Sequence, residues 1–174
     1  MVCLLISCCV VEKLLKGCWC WMLTAEKLVI GLGSPFLADD SVGLHVVRQL
    51  QTKGLPGVRF VESHAGGLLL LEEMEGAKQV IIVDAMQDEQ HQPGEVLILG
   101  INGSSQNASC SHDCSLHQAL NIGRTLSMEL PADDAIHLVA VVAKDLTSFS
   151  QQLTPDVEAA VEPACKAVQR LFGF

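Results

Sequence analysis

The chain has 174 residues, enough for one domain around a single core and too few for two domains of ordinary size. Its hydrophobic share of 49% supports a folded interior, while a formal net charge of -9 supplies no phosphate-neutralising surface and excludes nucleic acid as an expected partner. Of eight cysteines, five (Cys3, Cys8, Cys9, Cys18, Cys20) precede Met22, leaving Cys110, Cys114 and Cys165, too few for a disulfide framework and suited to a reduced, cytoplasmic protein.

The opening "MVCLLISCCVVEKLLKGCWCW" holds a short apolar patch with no positive segment ahead of it, well under the ~20 residues that a membrane helix needs. Membrane insertion is not expected. "LISC" resembles a lipoprotein cleavage box but sits too near the start to follow a signal sequence. Residues 1–22 are expected to be a Cys-rich extension, poorly ordered or lying ahead of a natural start at Met22, and residues 23–174 a single domain.

"KLVIGLG" is an apolar run closed by glycine and reads as a buried strand. Val42, Val46, Val47 and Leu50 then recur at helical spacing, with Asp39, Asp40 and Ser41 expected to cap the helix and oppose its dipole. "VRFVES" is a second strand, Leu68 to Met74 a short helix, and "QVIIVDA" a third strand, apolar throughout and expected to end at Asp84. Pro93 and Gly94 introduce a fourth strand, "EVLIL", and the short link before it predicts an antiparallel member. The polar loop "GINGSSQNASCS" exceeds ordinary connection lengths, as functional loops often do. Leu116, Leu120, Gly123 and Leu126 mark another helix, and "AIHLVAVVA" a fifth strand. "TPDVEAAVEPACKAVQRLF" is a closing helix with Thr154 as cap, Pro155 at its first position and a kink at Pro163. Alternating strands and helices predict a three-layer α/β domain with a mainly parallel sheet.

A dinucleotide site at "GLGSPFLADD" is disfavoured: the third glycine position holds Phe36, Pro35 lacks an amide donor, and two acids occupy the phosphate position. Asp84 points elsewhere, because carboxyl ends of parallel strands share one edge and could bring it to Asp40. His112, in "CSHDCSLHQAL", is placed to return to the same edge, with His117 a rival on the same stretch. Two carboxylates and an imidazole form an open O/O/N site for a divalent metal such as nickel or zinc. Cys110, His112 and Cys114 also read as a thiolate cluster, but no second Cys/His pair completes a structural zinc site. His64 and His91 read as solvated loop residues. A Gly-x-Ser-x-Gly elbow and a His-Glu-x-x-His helix are both lacking, so a serine mechanism and a resident-zinc protease have no support.

From Lys27 to Phe172 the chain resembles the hydrogenase maturation endopeptidases, through "VIGLGSPFLADDSVG", "VIIVDA", "PGEVLIL", "SHDCSL" and "LTPDVEAAVEPA" in the family's order and spacing. The resemblance implies a three-layer α/β/α sandwich of phosphorylase/hydrolase-like type with a mostly parallel five-stranded sheet. It implies an endopeptidase that removes the C-terminal extension of the nickel-iron hydrogenase large-subunit precursor after nickel insertion. The family's metal-contacting positions fall on Asp40, Asp84 and His112, which serve as catalytic and metal-site residues with no separate nucleophile identified, metal-dependent or aspartic in type. Ser115 and Leu116 suit the family's frame after His112, whereas Leu120 and Asn121 fit His117 less well. Nickel is expected to arrive with the substrate, and no organic cofactor is implied. Cys114 and His64 depart from the aliphatic residue and threonine common in relatives. A different class of function is a non-cleaving nickel-sensing chaperone for the immature subunit, over which the intact set Asp40, Asp84 and His112 favours cleavage, and a nucleotide-binding enzyme is a third.

Overall fold

Near-continuous burial along β-strands covered on both sides builds the middle layer, because successive residues of a strand face opposite sides of the sheet. The computed structural model describes residues 26–101 and 116–174. Its strands are β1 (Lys27–Leu32), β2 (Val58–Ser63), β3 (Gln79–Met86), β4 (Val96–Gly100) and β5 (Ile136–Val142). The helices among the described residues are α1 (Val42–Lys53), α2 (Leu69–Met74), α3 (Leu116–Thr125) and α4 (Pro155–Phe172). Val29, Ile81, Val83, Val139 and Val141 face one side and pack with Val42, Val46, Val47 and Leu50 of α1 and Val157, Ala164 and Val168 of α4. Leu28, Ile30, Val80, Ile82 and Ile136 face the other side and pack with Leu70, Leu71 and Met74 of α2 and Ala119 and Leu120 of α3. Each such side chain removed from water stabilises the fold by roughly 1.5–3 kcal/mol before entropy is counted.

The strand order is β2-β1-β3-β5-β4, all parallel except β4, which runs antiparallel to β5 as its short connection predicts. After β1 the chain crosses through α1 to β2; after β3 it turns the other way to β4. The neighbouring carboxyl ends of β1 and β3 are therefore a topological switch point, the place in an open α/β sheet where a crevice forms.

Several local expectations need correction. Strand β3 does not stop at Asp84: it pairs Asp84 with Ala140 and continues to Met86 opposite Val142, because β5 offers it two more partners. Ser41 and Thr154 make no side-chain cap. The Ser41 hydroxyl donates to the Ala38 carbonyl at 2.7 Å, and the Thr154 hydroxyl is drawn to Asp39. Pro163 lies inside α4 without ending it. It is exposed, and so is Ala159, whose carbonyl loses its helical partner and faces water. At the far end of α4, the Lys27 ammonium donates to the Phe172 carbonyl at 2.8 Å, a cation at a helix C-terminus. The long polar loop from residue 102 on lies outside the described residues, as do residues 1–25 and every cysteine except Cys165, which is buried.

Candidate active site

The site begins with glycines that let backbone touch backbone. A Cβ on Gly43 would lie 2.4 Å from both the Leu32 and Val83 carbonyl oxygens, so the first turn of α1 rests directly on the end of β1 and on β3 beside it. At Gly33, φ is +136° and a Cβ would sit 1.7 Å from the Asp40 carbonyl oxygen. Gly31 and Gly33 thus serve close packing of helix and acidic turn over the strand. The glycine pair that superficially suits a phosphate loop is consumed by the chain itself.

The 3-10 turn Ala38–Ser41 carries two acids with separate tasks. Asp39 is fully buried. Its carboxylate accepts from the Lys144 and Asp145 amides at 2.9 Å, from the Thr154 amide at 2.7 Å and from the Thr154 hydroxyl at 3.0 Å. Asp39 N–H donates to the Asp145 carbonyl at 3.0 Å and Ala38 N–H to Ser150 at 2.8 Å, so the turn is stitched to the segment between β5 and α4. Ala38 holds a φ of 25°, a strained backbone for a residue with a Cβ, kept by these bonds. Capping is not the work of either acid, since neither the turn nor α1 has a side-chain cap.

Asp40 is half-buried and accepts the Ser34 amide on Oδ2 at 2.6 Å. Asp84 is only 8% exposed. Burial pushes its carboxyl up to about 7; the hydrogen bond from Ala85 N–H works against that rise and the negative charge of Asp40 adds to it. Gly33 packs against the Asp40 carbonyl and Gly43 against the Val83 carbonyl, so both acids flank the first turn of α1, and the negative charge of Asp40 acts on Asp84 in the direction of a raised pKa.

His112, Cys110 and Cys114 lie outside the described residues. His117 is exposed on α3, and among the described residues no group of three His, Cys, Asp or Glu side chains gathers as a metal site. The ring of His64 is less free than a solvated loop residue: its Nδ1–H donates to the Gly33 carbonyl at 2.9 Å. His91 pairs with Asp88 in a turn at 2.8 Å. Asp39 is the residue that sequence reasoning missed. Two adjacent acids at a helix start gave no sign of which one would be drawn inward.

The sequence model of the Hydrogenase maturation protease family matches residues 44–171. The chain belongs to that family. Asp84 and His112 fall within the matched span and Asp40 just ahead of it. The chain is 31% identical over 146 residues to the hydrogenase 2 maturation protease of Escherichia coli strain K12, covering 81% of this chain and 87% of that protein. Among solved structures it is similar to the hydrogenase maturating endopeptidase HybD of E. coli, with a TM-score of 0.68 and 28% identity over 84% of this chain and 93% of that one. The [NiFe] hydrogenase maturation protease HybD from Thermococcus kodakarensis shares the fold at a TM-score of 0.61 and 23% identity, covering 83% and 97% of the two chains. As a hydrogenase maturation protease this protein is a hydrolase, and the family's mostly parallel five-stranded fold is the one described above. No described helix is long and apolar enough to cross a membrane.

Proposed function

We propose that this protease removes the C-terminal extension of the nickel-iron hydrogenase large-subunit precursor in the cytoplasm, and that Asp40, Asp84 and His112 read the nickel the precursor carries. The observation that carries the reading is the acid pair at the switch point, Asp40 half-buried on the turn after β1 and Asp84 buried on β3.

Two carboxylates that repel each other are a poor resting arrangement and a good receptor for a cation. Near neutral pH Asp84 is divided between its carboxyl and carboxylate forms. A divalent ion presented by the client cancels the repulsion, and Asp84 releases its proton to solvent as it becomes a ligand. A client without nickel meets the pair with no such gain. Nickel is thereby part of the substrate, and its oxygen/nitrogen donor set suits a borderline ion. Asp40, Asp84 and His112 would hold that ion so that the scissile bond lies beside it, and the ion would supply Lewis-acid polarisation of the carbonyl or of a water.

The described ends of the loop bearing His112 support its role. Gly100, the end of β4, pairs with His137 at the amino end of β5. Helix α3 starts at Leu116, packs on the Ile82 face of the sheet, which is also the Asp84 face, and has its later residue Gly123 against Leu71 and Leu130, near the approach to β3. Its start is thus directed toward the carboxyl edge.

The test is to incubate the purified protein with nickel-loaded precursor and follow the large subunit by mass spectrometry. Shortening by the wild type, and none by Asp40→Asn or His112→Ala at unchanged circular dichroism, is expected. A subunit bound but left at full length would favour a chaperone and end the peptidase reading.

A further inference from the structure

Four large apolar side chains stay exposed on the segments that follow the carboxyl ends of strands, Leu69 opening α2. Phe36 (50% exposed) follows β1, Leu68 and Leu69 (49% and 61%) follow β2, and Phe149 (83%) follows β5. These strands are parallel, so all four belong to the edge that carries Asp40 and Asp84. Phe36 and Phe149 are stacked, with ring centroids 5.8 Å apart and planes within 5°.

The stack is fixed before any partner arrives. Ser150 N–H donates to the Phe36 carbonyl at 3.0 Å and Ala38 N–H returns a bond to the Ser150 carbonyl at 2.8 Å. The Asp145 carboxylate accepts the Thr147 and Ser148 amides at 3.0 and 2.9 Å, which folds the approach to Phe149. Phe36 also lies between Ser34, whose amide holds Asp40, and the turn that bears Asp40. A polypeptide reaching the acid pair from this side meets the stack first.

We propose that the Phe36–Phe149 stack is the apolar anchor on which the precursor subunit docks beside the acid pair; this rests on the peptidase reading above. Rigid exposed aromatics ringed by small polar residues, here Ser34, Ser148 and Ser150, are the composition of a binding hot spot, and holding them in place beforehand removes ordering cost from association. A second copy of this chain is the poorer occupant, because two bodies each carrying a net charge of -9 repel.

Titration calorimetry of the full chain with purified nickel-loaded precursor reads docking without requiring cleavage. Phe36→Ala, Phe149→Ala and the double variant should retain the wild-type circular dichroism and melting point, since both rings are outside the core. Each single change should weaken precursor binding about tenfold. In the processing assay KM should rise with kcat unchanged. Equal affinity of wild type and double variant overturns the proposal, as does a wild type that binds no precursor. A wild-type dimer in sedimentation that Phe149→Ala dissociates, or flotation of the wild type alone with phospholipid vesicles, also overturns it by assigning the stack another occupant. Binding that depends on the stack without shortening of the subunit sustains the anchor and removes only the peptidase reading.

Discussion

Asp39 and Asp40 are neighbours in the chain whose side chains do unrelated work. Asp39 is drawn inward, where it accepts four hydrogen bonds, while Asp40 stays half-exposed and charges the surroundings of Asp84. Replacing Asp39 by Ala leaves three part-buried amides without their acceptor and is expected to cost about 1–3 kcal/mol in urea unfolding. An unchanged midpoint would contradict the clamp. For Asp84 the sign is opposite to that of a paired carboxylate. Its pKa rises from 3.8 to about 7 on folding, so between those values the unfolded chain binds fewer protons and stability falls as pH rises. Asp84→Asn removes the charge and should raise stability at pH 8 by on the order of 2–4 kcal/mol, the gain closing toward pH 4. Melting curves at the two pH values decide this. Asp40→Asn should lower the Asp84 pKa from about 7, because the charge that helps raise it is gone. A carbon-13 titration of the Asp84 carboxyl that finds no fall would break the coupling.

At the level of elements, the site depends on how closely α1 meets the sheet. The carbonyls of Leu32 and Val83 stand where a Cβ of residue 43 would be, and backbone oxygen cannot rotate away as a side chain can. Gly43→Ala is expected to cost about 3 kcal/mol or more and to lift the acidic turn off the strand ends, with processing reduced further than stability alone explains. Full processing by a folded Gly43→Ala protein would show that the turn tolerates displacement. Helix α4 invites the reverse change. Pro163 breaks one hydrogen bond at an exposed position, so Pro163→Ala should restore the bond to Ala159 and raise the melting temperature.

Across the whole molecule, the hydrophobic clusters fill both faces of the sheet while polar bonds organise its carboxyl edge. Stability need not be uniform across such a structure. In Asp39→Ala, hydrogen exchange should quicken at Lys144, Asp145 and Thr154 while the amides of β1 and β3 stay protected. Uniform acceleration would instead mean that the Asp39 clamp is continuous with the core.

The sequence by itself determined the order of strands and helices, the antiparallel β4 and the family, because apolar periodicity and ordered motifs are local properties of the chain. It also named Asp40 and Asp84 as acids worth uniting. Only the tertiary structure decided that β3 runs past Asp84, that Asp39 and Thr154 bind each other instead of capping helices, and that Phe36 meets Phe149. Each of these is a contact between segments far apart in the chain. Its energy arises when the sheet brings strand ends together, and no window of neighbouring residues contains both partners.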